Sequence, residues 1–192
     1  MAEVAGTLVD ALLQRVRDPS GLAHTRDTAR LVLSHVQRIA NYALRAVLDS
    51  ATLPTEPYRQ VYPVLSLLPA AARVVGIREG ARDLDEIAWP LFHLSVPRWF
   101  RATGPRFEAF ARIGDDLLVI YPAKTLASSV SVVYARLTTA LVNDSTPTDM
   151  PDEYLPLVLD VAEAILLLRQ RQYAPAQEIE TRVVARFQDL RR

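Results

Sequence analysis

Three histidines, a pair of adjacent aspartates and scattered serines are the side chains of this 192-residue chain that could do acid–base, nucleophilic or metal chemistry. His24, His35 and His93 are too far apart in sequence for any two to form a local ligand pair, which needs a spacing of roughly three to five residues. They read instead as a turn residue, a helix-surface residue and a member of the apolar Leu91 to Leu94 segment. Asp115 and Asp116 directly follow Gly114, a pattern that forms turns more often than cation sites, so Gly114, Asp115 and Asp116 are expected at an exposed hairpin tip. Neither Ser34 beside His35 nor Ser20 near His24 stands in a G-x-S-x-G context. Six glycines scattered at 6, 21, 76, 80, 104 and 114 build no phosphate loop. No cysteine occurs, which excludes disulfides, thiol catalysis and Cys-ligated zinc. The chain is expected to be no enzyme and to hold no metal and no cofactor.

Two further groups could bind rather than react. Trp89, Phe92, Trp99 and Phe100, with Arg98 and Arg101 among them, have the ingredients of a base-stacking surface. Aromatics beside Pro90 and Pro97 more often serve packing, and they read here as covering the seam between a sheet and a helical body. Asp144, Asp149, Asp152 and Glu153 read as a solvated loop with a helix cap. Basic and acidic residues balance at 22 each, which argues against a nucleic-acid binder working by bulk positive charge. The balance is uneven along the chain: no Lys or Arg occurs from Leu137 to Leu168, whereas Arg169, Arg171, Arg182, Arg186, Arg191 and Arg192 follow. Neither a signal peptide nor a membrane span is expected from the acidic Glu3 and Asp10 and the lack of a continuous apolar segment.

The elements that must position these residues follow from periodicity. Val4, Leu8, Leu12 and Val16, with Val9 and Leu13, predict a short amphipathic helix closed by Asp18-Pro19-Ser20-Gly21. A longer helix is predicted from about Thr25 to about Ser50, with Ala29, Val32, Val36, Ile39, Ala43 and Val47 inward and Gln37 outward. From Thr52 to Thr139 frequent prolines favour strands over long helices: Gln60 to Leu67, Arg73 to Glu79, Arg82 to Ala88, Phe107 to Ile113, Leu117 to Tyr121 and Ser129 to Leu137. Pro151-Asp152-Glu153-Tyr154 then opens a helix to Gln172, with Val161, Ile165 and Leu168 in its inward stripe and Asp160 off it. A turn at Tyr173-Ala174-Pro175 returns a last helix, Ala174 to Leu190, in which Ala176, Ile179, Val183 and Phe187 face inward. The expected fold is α+β: a helical bundle formed by the N- and C-terminal helices with an inserted small antiparallel β module. Its parts are residues 1–51, the first helices; 52–140, the β-rich insertion; and 141–192, the helical hairpin completing the bundle.

This order of elements resembles the head-tail adaptor, or head-completion and connector, family of tailed bacteriophages. The resemblance rests on Gln37-Arg38-Ile39-Ala40-Asn41 in a helix, the strand start Arg73-Val74-Val75, Leu84-Asp85-Glu86-Ile87, and Gly114-Asp115-Asp116-Leu117-Leu118-Val119-Ile120-Tyr121-Pro122 followed by Val130 to Tyr134. Pro151-Asp152-Glu153-Tyr154 before an Ala- and Leu-rich hairpin completes it, over about Asp10 to Leu190. The resemblance implies a structural virion protein of the neck, made in the host cytoplasm. It would form a homo-oligomeric, dodecameric ring beneath the portal protein, line the channel through which genomic DNA passes without sequence recognition, and receive a tail or nozzle protein. It also implies attachment to the portal through the C-terminal segment, where Phe187, Leu190, Arg191 and Arg192 are the candidate docking residues. A soluble binding or nucleic-acid-associated regulatory module using the basic last helix is the alternative, and a hydrolase using Asp115, Asp116 and a histidine a distant third.

Overall fold

Thr25 starts the longest helix by turning its hydroxyl onto the N–H of Thr28, 3.2 Å away, and Arg45 stops that helix by adopting the left-handed conformation at φ 57°. Such local signals set most element boundaries in the computed structural model, which describes residues 3–18, 20–96 and 98–190. Among them the chain runs through α1 (Ala5–Arg15), α2 (Arg26–Leu44), β1 (Leu48–Thr55), β2 (Val61–Pro63), α3 (Val64–Leu67), β3 (Ala71–Glu79), β4 (Arg82–Asp83) and β5 (Asp85–Glu86). It continues through α4 (Trp89–Ser95), β6 (Ala109–Ile113), β7 (Leu117–Tyr121), β8 (Ser128–Arg136), α5 (Leu155–Arg169) and α6 (Tyr173–Leu190). These elements divide into two units: one holds the described residues up to Val47 and from Leu137 onward, the other Leu48–Arg136.

In the helical unit, α1, α2, α5 and α6 share one apolar core. Leu8, Leu12, Leu33, Val36, Val158, Ala162 and Leu166 are buried in it. The segment before α5 is tied to the chain start: Ala5 N–H donates to Thr146 O at 2.8 Å, Gly6 N–H to Asp144 O at 2.9 Å, and Thr148 N–H to Glu3 O at 2.9 Å. A Cβ on Gly6 would approach Asp144 to 3.1 Å, so a larger residue there would push this loop off α1. Helices α5 and α6 are joined through Arg171, also left-handed at φ 60°. Residues 160 and 186, and 163 and 182, meet across the pair, so the two helices run antiparallel.

In the other unit, two four-stranded sheets face one core. Their strand orders are β1-β8-β3-β4 and β2-β7-β6-β5. Val130, Val132 and Tyr134 of β8 point into the core with Val74 and Ile77 of β3, and meet Phe110 of β6 with Leu118 and Ile120 of β7. The alternate residues of the second sheet, Ala111 and Val119, face the other way and receive Phe92 of α4. Strand β8 is central to its sheet and pairs antiparallel with both β1 and β3.

This arrangement corrects the expectation of terminal helices packed as a bundle around one small antiparallel module. Helices are spread along the chain, with α3 and α4 inside the strand-rich region; there are two sheets rather than one, and β5 pairs parallel with β6. Proline explains the misreading, since Pro63 caps α3 and Pro90 lies in the first turn of α4, positions where a missing N–H costs nothing. Strand β1 carries Pro54, which an edge strand tolerates. Helix α2 ends at Leu44 instead of near Ser50, because Asn41 Oδ1 accepts the N–H of Val47 at 2.6 Å and the chain leaves as β1. Pro175 lies inside the first turn of α6, and the connection falls earlier, at 170–172.

The inward face of α5 also differs from the expected stripe. Val158, Ala162 and Leu166 are fully covered, Val161 and Ile165 are half-buried, and Leu168 is 48% exposed. Leu166→Ala is expected to cost about 2–5 kcal/mol and Ile165→Ala about 1–2 kcal/mol in chemical denaturation followed by helical circular dichroism. Equal costs would place Ile165 back in the core.

Candidate functional site

The exposed tip and the last helix are where the sequence places recognition, and they lie in different units. Gly114, Asp115 and Asp116 are exposed between β6 and β7, with Gly114 at φ 63°. The tip is held by its backbone, as Asp116 O accepts the N–H of Val64 at 2.6 Å. On α6, Phe187 and Leu190 are half-buried, whereas Arg191 and Arg192 lie outside the described residues. The histidines are not brought together around a shared centre. His24 is buried in the helical unit, His35 lies on the exposed face of α2, and His93 packs its ring edge against Trp89 at 4.2 Å. Among the described residues no three His, Cys, Asp or Glu side chains form a group able to hold a metal ion.

Charge organises the helical unit in a way the sequence did not announce. Asp160 of α5 is only 1% exposed; Arg15 of α1 donates to its Oδ1 at 2.7 Å and Arg186 of α6 approaches its Oδ2 to 3.1 Å. Glu163, one turn on, meets Arg15 at 3.4 Å and Arg182 at 3.9 Å. A signal was present: from Leu155 to Leu168 only Asp160 and Glu163 are charged, so this helix has no polar face to hold them. Gln37 of α2, expected outward, is buried and its Nε2 donates to Thr148 Oγ1 at 2.8 Å; Asn41, one turn on, is buried too.

The acidic stretch splits into anchored and outward members. Asp144 accepts from Arg30 at 2.7 Å and from Arg26 at 2.8 Å, and these two hydrogen bonds hold its carboxyl below the usual carboxylate range. Asp149 accepts the N–H of Thr139 at 2.6 Å. Asp152 and Glu153 stay exposed on a 3-10 turn before α5. Asp18, the first residue of the segment expected to close α1, closes the turn after that helix. Burial pushes its carboxyl up, but N–H bonds from His24, Leu22 and Ala23, at 2.7 to 2.9 Å, outweigh this and hold it low.

Binding surfaces are the features left facing outward. Helix α4 presents Leu91 and Leu94, 57% and 77% exposed, and the following 3-10 turn presents Phe100 at 60%. Beneath them Trp89, Phe92 and Trp99 pack on one another with ring centroids 5.6 to 5.8 Å apart. The aromatic cluster thus sits on the second sheet, anchored by Phe92. In the helical unit, an apolar groove of about 460 Å³ runs between α5 and α6 over Val161, Ile165, Leu168, Tyr173 and Val183. A polar cleft of about 930 Å³ lies near the α5–α6 turn, bordered by Arg17, Asp18, Glu163, Glu178 and Arg182. Its lining mixes both signs of charge. No family model matches the chain, and no curated protein matches it either.

The depressed carboxyl of Asp144 has a pH signature. A carboxylate whose folded pKa lies below its unfolded value adds stability above that unfolded value, near pH 4, and loses it as pH falls through the folded pKa. Asp144→Asn is therefore expected to lower the melting temperature at pH 7, with the gap to the parent protein narrowing below about pH 4. A gap constant from pH 7 to pH 2 would contradict the assignment. At the tip, Asp115→Ala with Asp116→Ala is expected to change stability by no more than about 0.5 kcal/mol. A melting temperature raised by added divalent cation would make the tip a metal site.

Proposed function

We propose that the chain is a structural assembly protein of the tailed-phage neck, an adaptor that forms a ring beneath the portal and receives the tail. The observation that carries this reading is the outward display of large apolar side chains on both units. Leu91, Leu94 and Phe100 are displayed on one; Leu168 and Tyr173, 48% and 65% exposed, beside the α5–α6 groove on the other. Contiguous exposed apolar surface of this kind marks protein contact more than it marks solvent-facing structure. The resemblance of the element order to head-tail adaptors supplies the kind of assembly. Neutral net charge suits a channel wall that lets DNA pass without gripping it.

Portal attachment is assigned to the end of α6. Phe187 and Leu190 stand three residues apart on one helix, so they share a face of α6. Guanidinium forks on Arg191 and Arg192 would pair with portal carboxylates.

The test is reconstitution of the full chain with portal rings from the same genome, read by sedimentation. A complex larger than the portal alone is expected. Replacing Leu190, Arg191 and Arg192 together by alanine should leave the melting temperature nearly unchanged while weakening the complex. A folded chain that adds no mass to portal rings would overturn the proposal, and normal binding by the triple variant would move attachment elsewhere.

A further inference from the structure

The α4 surface is built to be covered. A seven-residue helix that buries Phe92 completely must turn neighbouring side chains outward, and here those are Leu91 and Leu94. The turn beside it is fixed from below: Gln60 Nε2 donates to Trp99 O at 2.8 Å and to Ala102 O at 3.0 Å. With the Trp89, Phe92 and Trp99 rings already packed on one another, the platform beneath the displayed side chains needs no reordering when a partner lands. The segment that forms the patch also carries one sign of charge. Residues 87–107 contain Arg98, Arg101 and Arg106 but no Asp or Glu, and Arg98 and Arg101 are exposed beside Phe100.

A complement exists in the same chain. The stretch from Leu137 to Leu168 has no basic residue, and its inner carboxylates are occupied: Asp144 by two arginines and Asp149 by a backbone N–H. What it shows outward is Asp152 and Glu153, the latter also accepting from the Tyr154 hydroxyl, flanked by exposed Pro151 and Pro156. Two carboxylates between apolar rings match two guanidiniums beside Leu94 and Phe100 in both charge and apolar character.

We infer that the α4 patch of one copy docks the Pro151-to-Pro156 segment of a neighbouring copy. The contact is heterologous, uses a different surface on each side, and so generates a ring or filament rather than a two-fold dimer. It rests on the reading of the chain as a ring-forming adaptor and specifies which surfaces close that ring.

The absence of cysteine from the sequence makes the contact directly testable. Leu94→Cys and Pro151→Cys are made in separate full-length chains, mixed and oxidised, both free at high concentration and on portal rings. A disulfide-linked pair is expected from the mixture and not from either variant alone. Adding Arg98→Glu and Arg101→Glu to the first chain should cut the yield about tenfold or more, and high salt should cut it as well. Adding Asp152→Arg and Glu153→Arg to the second chain should then restore it. Because Asp152 and Glu153 also stand at a helix start, Asp152→Asn with Glu153→Gln serves as a milder version, with circular dichroism reporting the fold. A yield indifferent to these charges, or a bond formed within one chain carrying both cysteines but never between copies, overturns the inference. Portal binding without the cross-link sinks this contact alone; the cross-link without portal binding sinks the proposed function alone.

Discussion

A carboxylate in an apolar core is tolerable only if its charge is met there, and Asp160 makes that demand on three helices at once. It draws Arg15 from α1 and Arg186 from α6 onto α5. Arg15 and Arg186 are 35% and 42% exposed and share Asp160, so losing one of them costs less than the roughly 3–5 kcal/mol of breaking a fully buried pair, whereas losing both would strand the carboxylate. A well-packed apolar replacement of the whole group could be as stable, so the network's distinctive effect is on register. Only one sliding position of α6 along α5 brings Arg186 to Asp160 and Arg182 to Glu163 together. That position leaves Leu168 and Tyr173 on the rim of an open apolar groove.

The other unit reaches a similar end by different means. Its core is closed by strand alternation, with Leu118 and Ile120 turned to one side of β7 and Val119 to the other. Phe92 covers Val119 and Ala111, which obliges α4 to display its remaining leucines. Exposed apolar surface in this protein is therefore a consequence of how each unit completes its own core. Leu91 and Leu94 on α4 and Leu168 and Tyr173 on α5 and α6 are carried by helices, which favours recognition that needs little rearrangement, while Leu22, Leu126 and Val142 are displayed on loops.

Much of this was legible in the residues. The spacing of Val4, Leu8, Leu12 and Val16 gave α1, the alternation from Ser129 to Tyr134 gave β8, and Gly114 between two β-rich runs marked the β6–β7 turn. Three kinds of feature escaped. Pro63 and Pro90 look like helix breakers until their position at a helix start is known. Asp160 and Gln37 are polar and yet buried, and only their partners, far away in sequence, make that possible, while buried Asn41 accepts the N–H of Val47. Seven residues of α4 are too few for periodicity to say which of Leu91, Phe92 and Leu94 faces in. The tip residues Gly114, Asp115 and Asp116 lie at the surface, while for Arg191 and Arg192 the described residues end just short.

If the chain is the neck adaptor proposed above, it is a component of the virion and should be found in purified particles. Quantitative mass spectrometry of purified tailed particles, with the portal protein as internal reference, measures this most directly. The chain is expected in a constant ratio to portal across preparations and after high-salt washing. Its absence from intact, infectious particles would contradict the proposed role, whatever the isolated chain binds.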